Sequence, residues 1–287
     1  AGQPMQLSDP TAGAAVVGGV GYNLDSRNYS FSLPVLSLAG RAGLNVGLGL
    51  SYNSKVWTKD ATTGTMIFNG DRGFPAPGWQ LGFGAILIKQ TGVGPYYNSV
   101  TGKYSIIFIS PDGTRHDLGY NASSGKYEAY DSSYLKFHGP SQTMFFPDGT
   151  QMKFGVYSYD VNVRDFLALP IEIKDRNGNR ITATYDANGL MDTITDTLGR
   201  QILLEYGEYF ELLKVKQNRN GALSTLAQFD YADQQLYFNF GSLYVDNVSQ
   251  GQTIPLMYQV TLLDNSRYKF EWNTYGQVSK IRRYGGL

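Results

Sequence analysis

Apolar and polar residues alternate with a period of two over short stretches, and turn-forming residues separate the stretches. Residues 28–36 (Asn-Tyr-Ser-Phe-Ser-Leu-Pro-Val-Leu) and 44–52 (Leu-Asn-Val-Gly-Leu-Gly-Leu-Ser-Tyr) both alternate and flank the turn 38–43, which predicts a hairpin. Gly47 and Gly49 fall on the face opposite the apolar residues, a placement that predicts close approach of another layer. Further strands are expected at 85–90, 104–110, 114–118, 126–129, 134–138, 143–146 and 150–154. Pro111-Asp-Gly-Thr114 and Pro147-Asp-Gly-Thr150, 36 residues apart, read as turns between apolar runs. Residues 58–77 read as turns and a long loop, and 157–169, without a clear period, as an internal boundary. No segment keeps a helical period for more than a turn or two.

The most regular stretch is 175–216, which reads as two lines of 21 residues. Asp175 aligns with Asp196, Gly178 with Gly199, Ile181 with Ile202, Tyr185 with Tyr206 and Ile194 with Val215. A fixed period of this kind marks a repeat architecture. Asp-x-x-Gly supplies a turn, because Asp bonds its own backbone and Gly takes a positive φ without steric cost. Ile181-Thr-Ala-Thr-Tyr185 then alternates as a strand, Asp186-Ala-Asn-Gly189 turns, and 190–195 returns. One repeat is therefore a hairpin, marginal alone, which must pair with the next to build a long antiparallel sheet.

The run Asp175-Arg-Asn-Gly-Asn-Arg-Ile-Thr-x-x-Tyr185-Asp-x-x-Gly189, followed by Thr195-Asp-x-x-Gly-Arg200, closely resembles the YD repeats of the bacterial RHS family. A degenerate copy runs from Asp264, with Trp272 in the Tyr place, Gly276 four residues on and Ile281 five beyond that. A third candidate, Asn218-Arg-Asn-Gly221 with Phe229-Asp-Tyr231, fits only with an insertion. Residues 24–57 and Gly78-Trp-Gln-Leu-Gly-Phe-Gly84 look like the region that precedes the repeats in RHS-type proteins. The resemblance implies a β-sheet strip of the kind that winds into a hollow cocoon, with the N-terminal region at one end and, in some members, plugging it. It also implies a shell that encloses a C-terminal toxin or presents adhesive surfaces. Full shells carry more repeats and end in an Asp-Pro-x-Gly-type self-cleavage motif. This chain lacks that motif, since Asp9-Pro10 is N-terminal and does not fit it.

Composition narrows the partners. Lys+Arg and Asp+Glu balance at 24 each in 287 residues, which gives no support for nucleic acid or an anionic membrane as partner. Charge neutrality gives little colloidal repulsion to oppose self-association. Zero Cys excludes disulfides, thiolate metal sites and Cys catalysis. No apolar run reaches the length of a membrane-spanning helix. The start at Ala1 fits either a mature terminus after signal cleavage or a boundary chosen within a longer chain. The glycines of 18–21 miss the spacing of nucleotide-binding loops, and strands rather than a helix follow.

Candidate chemistry is sparse. His116 and His138 have no metal-ligand partner at helical or strand spacing, and there is no Gly-x-Ser-x-Gly elbow. Asp112, Asp148, Asp175, Asp186, Asp196 and Asp264 occupy turn positions, which explains them without catalysis. Asp175, Asn177, Asn179 and Asp186 resemble a calcium loop in part, but the Gly comes too early and the bidentate Glu is missing. The aromatic load suits pleated surfaces, although exposed Tyr could stack on carbohydrate.

The expectation is an all-β chain of tandem antiparallel hairpins forming a continuous coiled strip or partial shell. Its parts are an apolar arm (1–22), an N-terminal β cap or plug (23–90), an irregular hairpin region (91–165) and a YD-repeat sheet (166–287). No catalytic residue, metal or cofactor is expected. The structural positions are Asp175, Gly178, Tyr185, Asp186, Gly189, Asp196, Gly199, Tyr206, Trp272 and Gly276. The expected role is a non-enzymatic, secreted or cell-surface shell segment whose partner is a C-terminal cargo in a longer parent chain. The alternative is an extracellular adhesive or filament-forming protein that assembles with itself or binds carbohydrate. In that reading the arm residues Val16, Val17, Val20 and Tyr22 would add as a strand to a neighbour.

Overall fold

The computed structural model describes residues 19–23, 28–60, 63–70, 72–89, 97–98, 103–104, 106–160, 165–219 and 221–286. Among these the fold is all β, and the one helical element is a 3-10 turn at Arg41–Gly43. Strands β1 (Gly19–Asn23), β2 (Asn28–Leu38) and β3 (Val46–Asn53) follow one another antiparallel. β4 (Trp57–Lys59) and β5 (Met66–Phe68) make a small hairpin, and β6 (Trp79–Leu81) returns to β3, giving an N-terminal sheet β1-β2-β3-β6.

Next come β7 (Ala85–Lys89), the short ladder β8 (Tyr97–Asn98) with β9 (Lys103–Tyr104), and β10 (Ile106–Ile109), β11 (Arg115–Asn121), β12 (Lys126–Ala129), β13 (Lys136–His138), β14 (Thr143–Phe145), β15 (Gln151–Asp160) and β16 (Asp165–Lys174). The order β15-β14-β13-β12-β11-β10-β7-β16 closes through a β15–β16 pairing into an eight-stranded barrel. Side chains fill it, as expected for that size. Ile86, Ile106, Phe108, Leu118, Phe137, Met144, Met152 and Phe154 form one buried cluster, with Phe154 edge-on to Phe108 and Phe137 at 6.5 and 6.0 Å.

β16 carries the sheet out of the barrel. Its first half pairs with β7, through Asp165 to Ala168, and its second half pairs with β17 (Arg180–Tyr185), through Glu172 to Lys174. From there β18 (Met191–Thr195), β19 (Gln201–Tyr206), β20 (Leu212–Arg219), β21 (Ala222–Gln235), β23 (Thr253–Leu262), β24 (Arg267–Trp272) and β25 (Val278–Tyr284) continue one antiparallel strip in chain order. The remaining short strand, β22 (Val245–Asp246), lies in the 236–252 insertion and pairs parallel with β5.

The two faces of the strip differ, as an antiparallel sheet allows. The outer face carries Thr182, Thr184, Lys214, Glu205 and Glu271, with ion pairs such as Glu172–Arg180 at 3.0 Å and Glu271–Arg282 at 2.6 Å. The inner face carries Ile181, Ala183, Ile194, Ile202, Val215, Phe229, Val260 and Phe270, which pack in one cluster with Phe31, Leu33, Leu48, Leu50, Tyr52 and Trp79 of the N-terminal sheet. Along β17–β25 the strip is therefore one half of a filled sandwich.

Several expectations are revised. Val16 and Val17 lie outside the described residues, while Val20 and Tyr22 sit in β1, which pairs with β2 of its own chain (Val20 with Phe31, Tyr22 with Tyr29). β7, expected in the N-terminal cap, belongs to the barrel, where it supplies the neighbour that β10 needs on its second edge. The boundary expected within 157–169 is a long hairpin, because β16 is shared between barrel and strip. Residues 58–77, expected as turns and a long loop, contain the end of β4 and all of β5. Gly49 is closely approached, a Cβ there lying 3.3 Å from the Leu33 carbonyl oxygen, whereas Gly47 faces open space.

Candidate functional site

The distinctive geometry of the strip begins at its turns. Asp175 Oδ1 accepts the amides of Asn177 and Asn179, each at 2.8 Å, and the Gly178 amide donates to the Asp175 carbonyl at 3.1 Å. Asp186 does the same with Asn188 and Leu190, Asp196 with Leu198 and Arg200, and Asn273 with Tyr275 and Gln277. Gly178, Gly189, Gly199 and Gly276 occupy matching places at φ +85, +78, +77 and +71°, where a side chain would be strained. The turn after Tyr206 departs from the pattern: exposed Phe210 holds that place at φ +67°. Hydrogen bonds to the ionised form hold the Asp175 carboxyl below its ordinary range, with Asn179 the largest contributor, and the Leu190 amide is the largest cause for Asp186.

The repeat aromatics form a ladder of staples. The Tyr185 hydroxyl donates to the Pro170 carbonyl at 2.7 Å, Tyr206 to Met191 at 2.8 Å, Tyr231 to Leu212 at 3.0 Å, and the Trp272 indole N–H to Met257 at 3.1 Å. A register shift precedes each aromatic, and across it Tyr185 pairs with Met191, Tyr206 with Leu212, Tyr231 with Met257 and Trp272 with Val278. The acceptor of each staple after the first is thus the residue already paired with the preceding aromatic. Pro170, the first acceptor, pairs with Phe154 at a register shift in β15, so the ladder starts inside the barrel. Burial drives the phenols of Tyr185, Tyr206 and Tyr231 well above their ordinary pKa. They therefore stay protonated, as donation requires.

The N-terminal sheet is fastened to the strip at two places. Near the start, the Arg41 amide donates to Thr197 Oγ1 at 2.7 Å and Arg200 Nη2 to the Ala39 carbonyl at 2.5 Å, so Asp196 and Gly199 form a docking turn as well as a repeat turn. Near the end, the Val278 amide donates to Tyr52 Oη at 2.8 Å, Gln277 Nε2 to the Ser54 carbonyl at 2.9 Å, and Trp57 Nε1 to the Tyr275 carbonyl at 2.8 Å. Phe31, Tyr52 and Trp79 meet Phe270 and Trp272 ring to ring, with Trp79–Phe270 at 4.8 Å. Sequence reasoning missed these fastenings. Tyr52 offered only its place on an alternating strand.

Other chemistry-bearing groups are engaged locally. His116 Nδ1 lies 2.7 Å from Asp131 Oδ2, and His138 Nδ1 lies 2.8 Å from Ser141 Oγ. Burial pushes the Asp131 carboxyl up, but hydrogen bonds from Ser133 and His116 outweigh it and leave the pKa lowered. Asp175 and Asp186 stand in separate turns before and after β17 and do not form a joint ligand set. Among the described residues no group of three or more His, Asp or Glu is placed to hold a metal ion, and no helix is long and apolar enough to cross a membrane. A cavity of about 470 Å³ opens where cap, barrel and strip meet, with Phe74, Phe83, Leu167, Tyr185 and Met191 in its wall.

These features define an all-β protein in which a filled barrel feeds a stapled, repeat-built strip covered on one face by its own N-terminal sheet. No protein-family model matches the chain, and no curated protein sequence matches it. Among solved structures, the N-terminal domain of effector protein SpvB from Salmonella typhimurium strain LT2 aligns over 89% of this chain and 100% of its own length, at 16% identity and TM-score 0.34. The Photorhabdus luminescens Tc holotoxin pore aligns over 98% of this chain at 14% identity and TM-score 0.39. TcdB2-TccC3 without its hypervariable C-terminal region does so over 98% at 15% identity and TM-score 0.37, and this chain spans only 16% of the length of each of these two. At such scores the strand ladder itself, rather than the likeness, defines the architecture.

Proposed function

We propose that the chain is a non-enzymatic wall segment of a secreted RHS/YD-type shell, which encloses or displays a cargo polypeptide carried in the same parent chain. The observation that carries this reading is the stapled strip: every hairpin is locked to the one before it by the same aromatic-to-carbonyl bond. Such an arrangement extends by repetition, and each hairpin stabilises its neighbour, as in other repeat architectures. The YD-type residues of 175–216 and 264–281 supply the family resemblance. The polar outer face and apolar inner face suit a wall with a solvated outside. The turn-bound aspartates and locally paired histidines have a structural use, which favours a wall over an enzyme.

The test is to express the complete reading frame containing this chain, image the product and digest it with a nonspecific protease. A hollow particle whose wall includes 175–284, with a protease-protected internal fragment, is expected. A solid particle with no protected fragment would overturn the proposal.

A further inference from the structure

The last strand of the strip, β25, pairs with β24 on one edge and with no other strand among the described residues. Its surroundings are chemically biased. Residues 264–284 contain Arg267, Lys269, Lys280, Arg282 and Arg283 against Asp264 and Glu271, in a chain whose formal charge is zero. The register places Lys280 opposite Glu271, Arg282 opposite Lys269 and Tyr284 opposite Arg267 on the outer face, while Ile281 and Arg283 face the inner side beside Phe270 and Tyr268. Glu271 bonds Arg282 at 2.6 Å, Arg267 and Lys269 lie over the Tyr284 ring, and Arg283 lies over the Tyr268 ring. A single outer carboxylate thus serves a cluster of cations.

We infer that the β25 edge accepts a further hairpin of the same repeat, whose first strand presents acidic side chains on the outer face and a Tyr or Trp aimed at the Val278 carbonyl. The inference rests on the reading of the strip as a wall that continues. The aromatic requirement follows from the ladder: each staple ends on the residue paired with the preceding aromatic, and Trp272 pairs with Val278. Three of the staples span 15 residues, which places the next aromatic at the fifteenth position after Val278. The Val278 amide is already held by Tyr52, so the carbonyl is presented from a fixed strand.

The charge requirement follows from cross-strand pairing, in which opposite charges stabilise and like charges placed opposite each other destabilise. Two copies of β25 brought together antiparallel about Ile281 would set Lys280 against Arg282 twice. Basic residues on an edge also discourage indiscriminate pairing. The same cations therefore exclude a second copy of this edge and admit an acidic strand.

The experiment appends, after Leu287 of the full chain, one hairpin copied from 180–195 in two forms, so that the copy of Tyr185 falls at the fifteenth position after Val278. In one, the outer positions of its first strand are Glu; in the other they are Lys. A third form keeps Glu and has Phe in place of the hairpin tyrosine. Amide exchange of Val278–Tyr284 is read by mass spectrometry at low and high salt. The Glu form is expected to slow exchange by about tenfold or more, less at high salt, and the Lys form to leave it unchanged. The Phe form is expected to fall between them. Equal protection by the Glu and Lys forms would overturn the charge inference while leaving the continuing wall intact. Equal protection by the Tyr and Phe forms would remove the staple requirement. No protection by any form would overturn both this inference and the wall on which it rests.

Discussion

Tyr206→Phe removes one staple and leaves the ring. The hydroxyl donates to the Met191 carbonyl at 2.8 Å, and burial holds the phenol neutral. A hydrogen bond of this kind contributes about 0.5–1.5 kcal/mol net, and leaving a half-buried acceptor without its donor adds to the loss, for a total of roughly 1–2 kcal/mol. With an unfolding entropy near 2.1 cal/mol/K per residue, 287 residues give about 0.6 kcal/mol/K, so Tm should fall by roughly 2–3 °C. Met191 is also the bulge partner of Tyr185, so the two staples share a residue. Tyr185→Phe together with Tyr206→Phe should therefore deviate from additivity, whereas Tyr185→Phe with the more distant Trp272→Phe should add. Differential scanning calorimetry with urea titration measures both. An unchanged Tm in Tyr206→Phe, with strict additivity in both pairs, would show that the aromatic ladder is ordinary packing and not a set of hydrogen-bonded staples.

The phenols of Tyr52, Tyr185, Tyr206 and Tyr231 are all raised by burial, so their contribution is complete below the ordinary value of about 10 and is lost as pH climbs above it; each removes up to roughly 1.4 kcal/mol per pH unit in that window. Cooperative alkaline unfolding coincident with a tyrosinate absorbance step is expected, and smooth ionisation near the ordinary value without unfolding would contradict it. Gly178→Val places a β-branched residue at φ +85° with open space around it, so the cost is backbone strain of about 1–2 kcal/mol; Phe210→Gly relieves φ +67° and should gain up to a similar amount, both read by urea midpoint. Gly82→Ala drives a Cβ to 2.7 Å from the Pro111 carbonyl oxygen and 3.0 Å from that of Gly49 and should lower Tm by several degrees, whereas Gly47→Ala meets nothing and should be neutral or slightly stabilising.

The parts of the fold set by local chemistry were legible in the sequence. Asp-x-x-Gly fixes a turn within four residues whatever surrounds it, so Asp175, Gly178, Asp196 and Gly199 could be placed with their roles. Tyr185, Tyr206 and Trp272 could be placed but their partners could not, because each acceptor lies 15 residues back and is chosen by a bulge. Barrel closure was hidden for a similar reason. Register shifts around Phe154 break the alternation of β15, and β10 is buried on both faces, so neither strand shows a readable period. The 236–252 insertion hid Tyr231 as a staple by separating it from Trp272. Alternation in β3 revealed an apolar face but could not say that the repeat strip covers it.

The contact between the N-terminal sheet and the last hairpin of the strip holds the account together, and the Val278 amide reports on it directly. It donates to Tyr52 Oη at 2.8 Å across the sandwich. Native-state hydrogen exchange resolved at Val278, in the natural sequence and in Tyr52→Phe, is the decisive measurement. The expected result is exchange as slow as global unfolding in the natural sequence and faster by about tenfold or more in Tyr52→Phe. Rapid exchange of Val278 in both proteins would mean that the N-terminal sheet does not close over the strip.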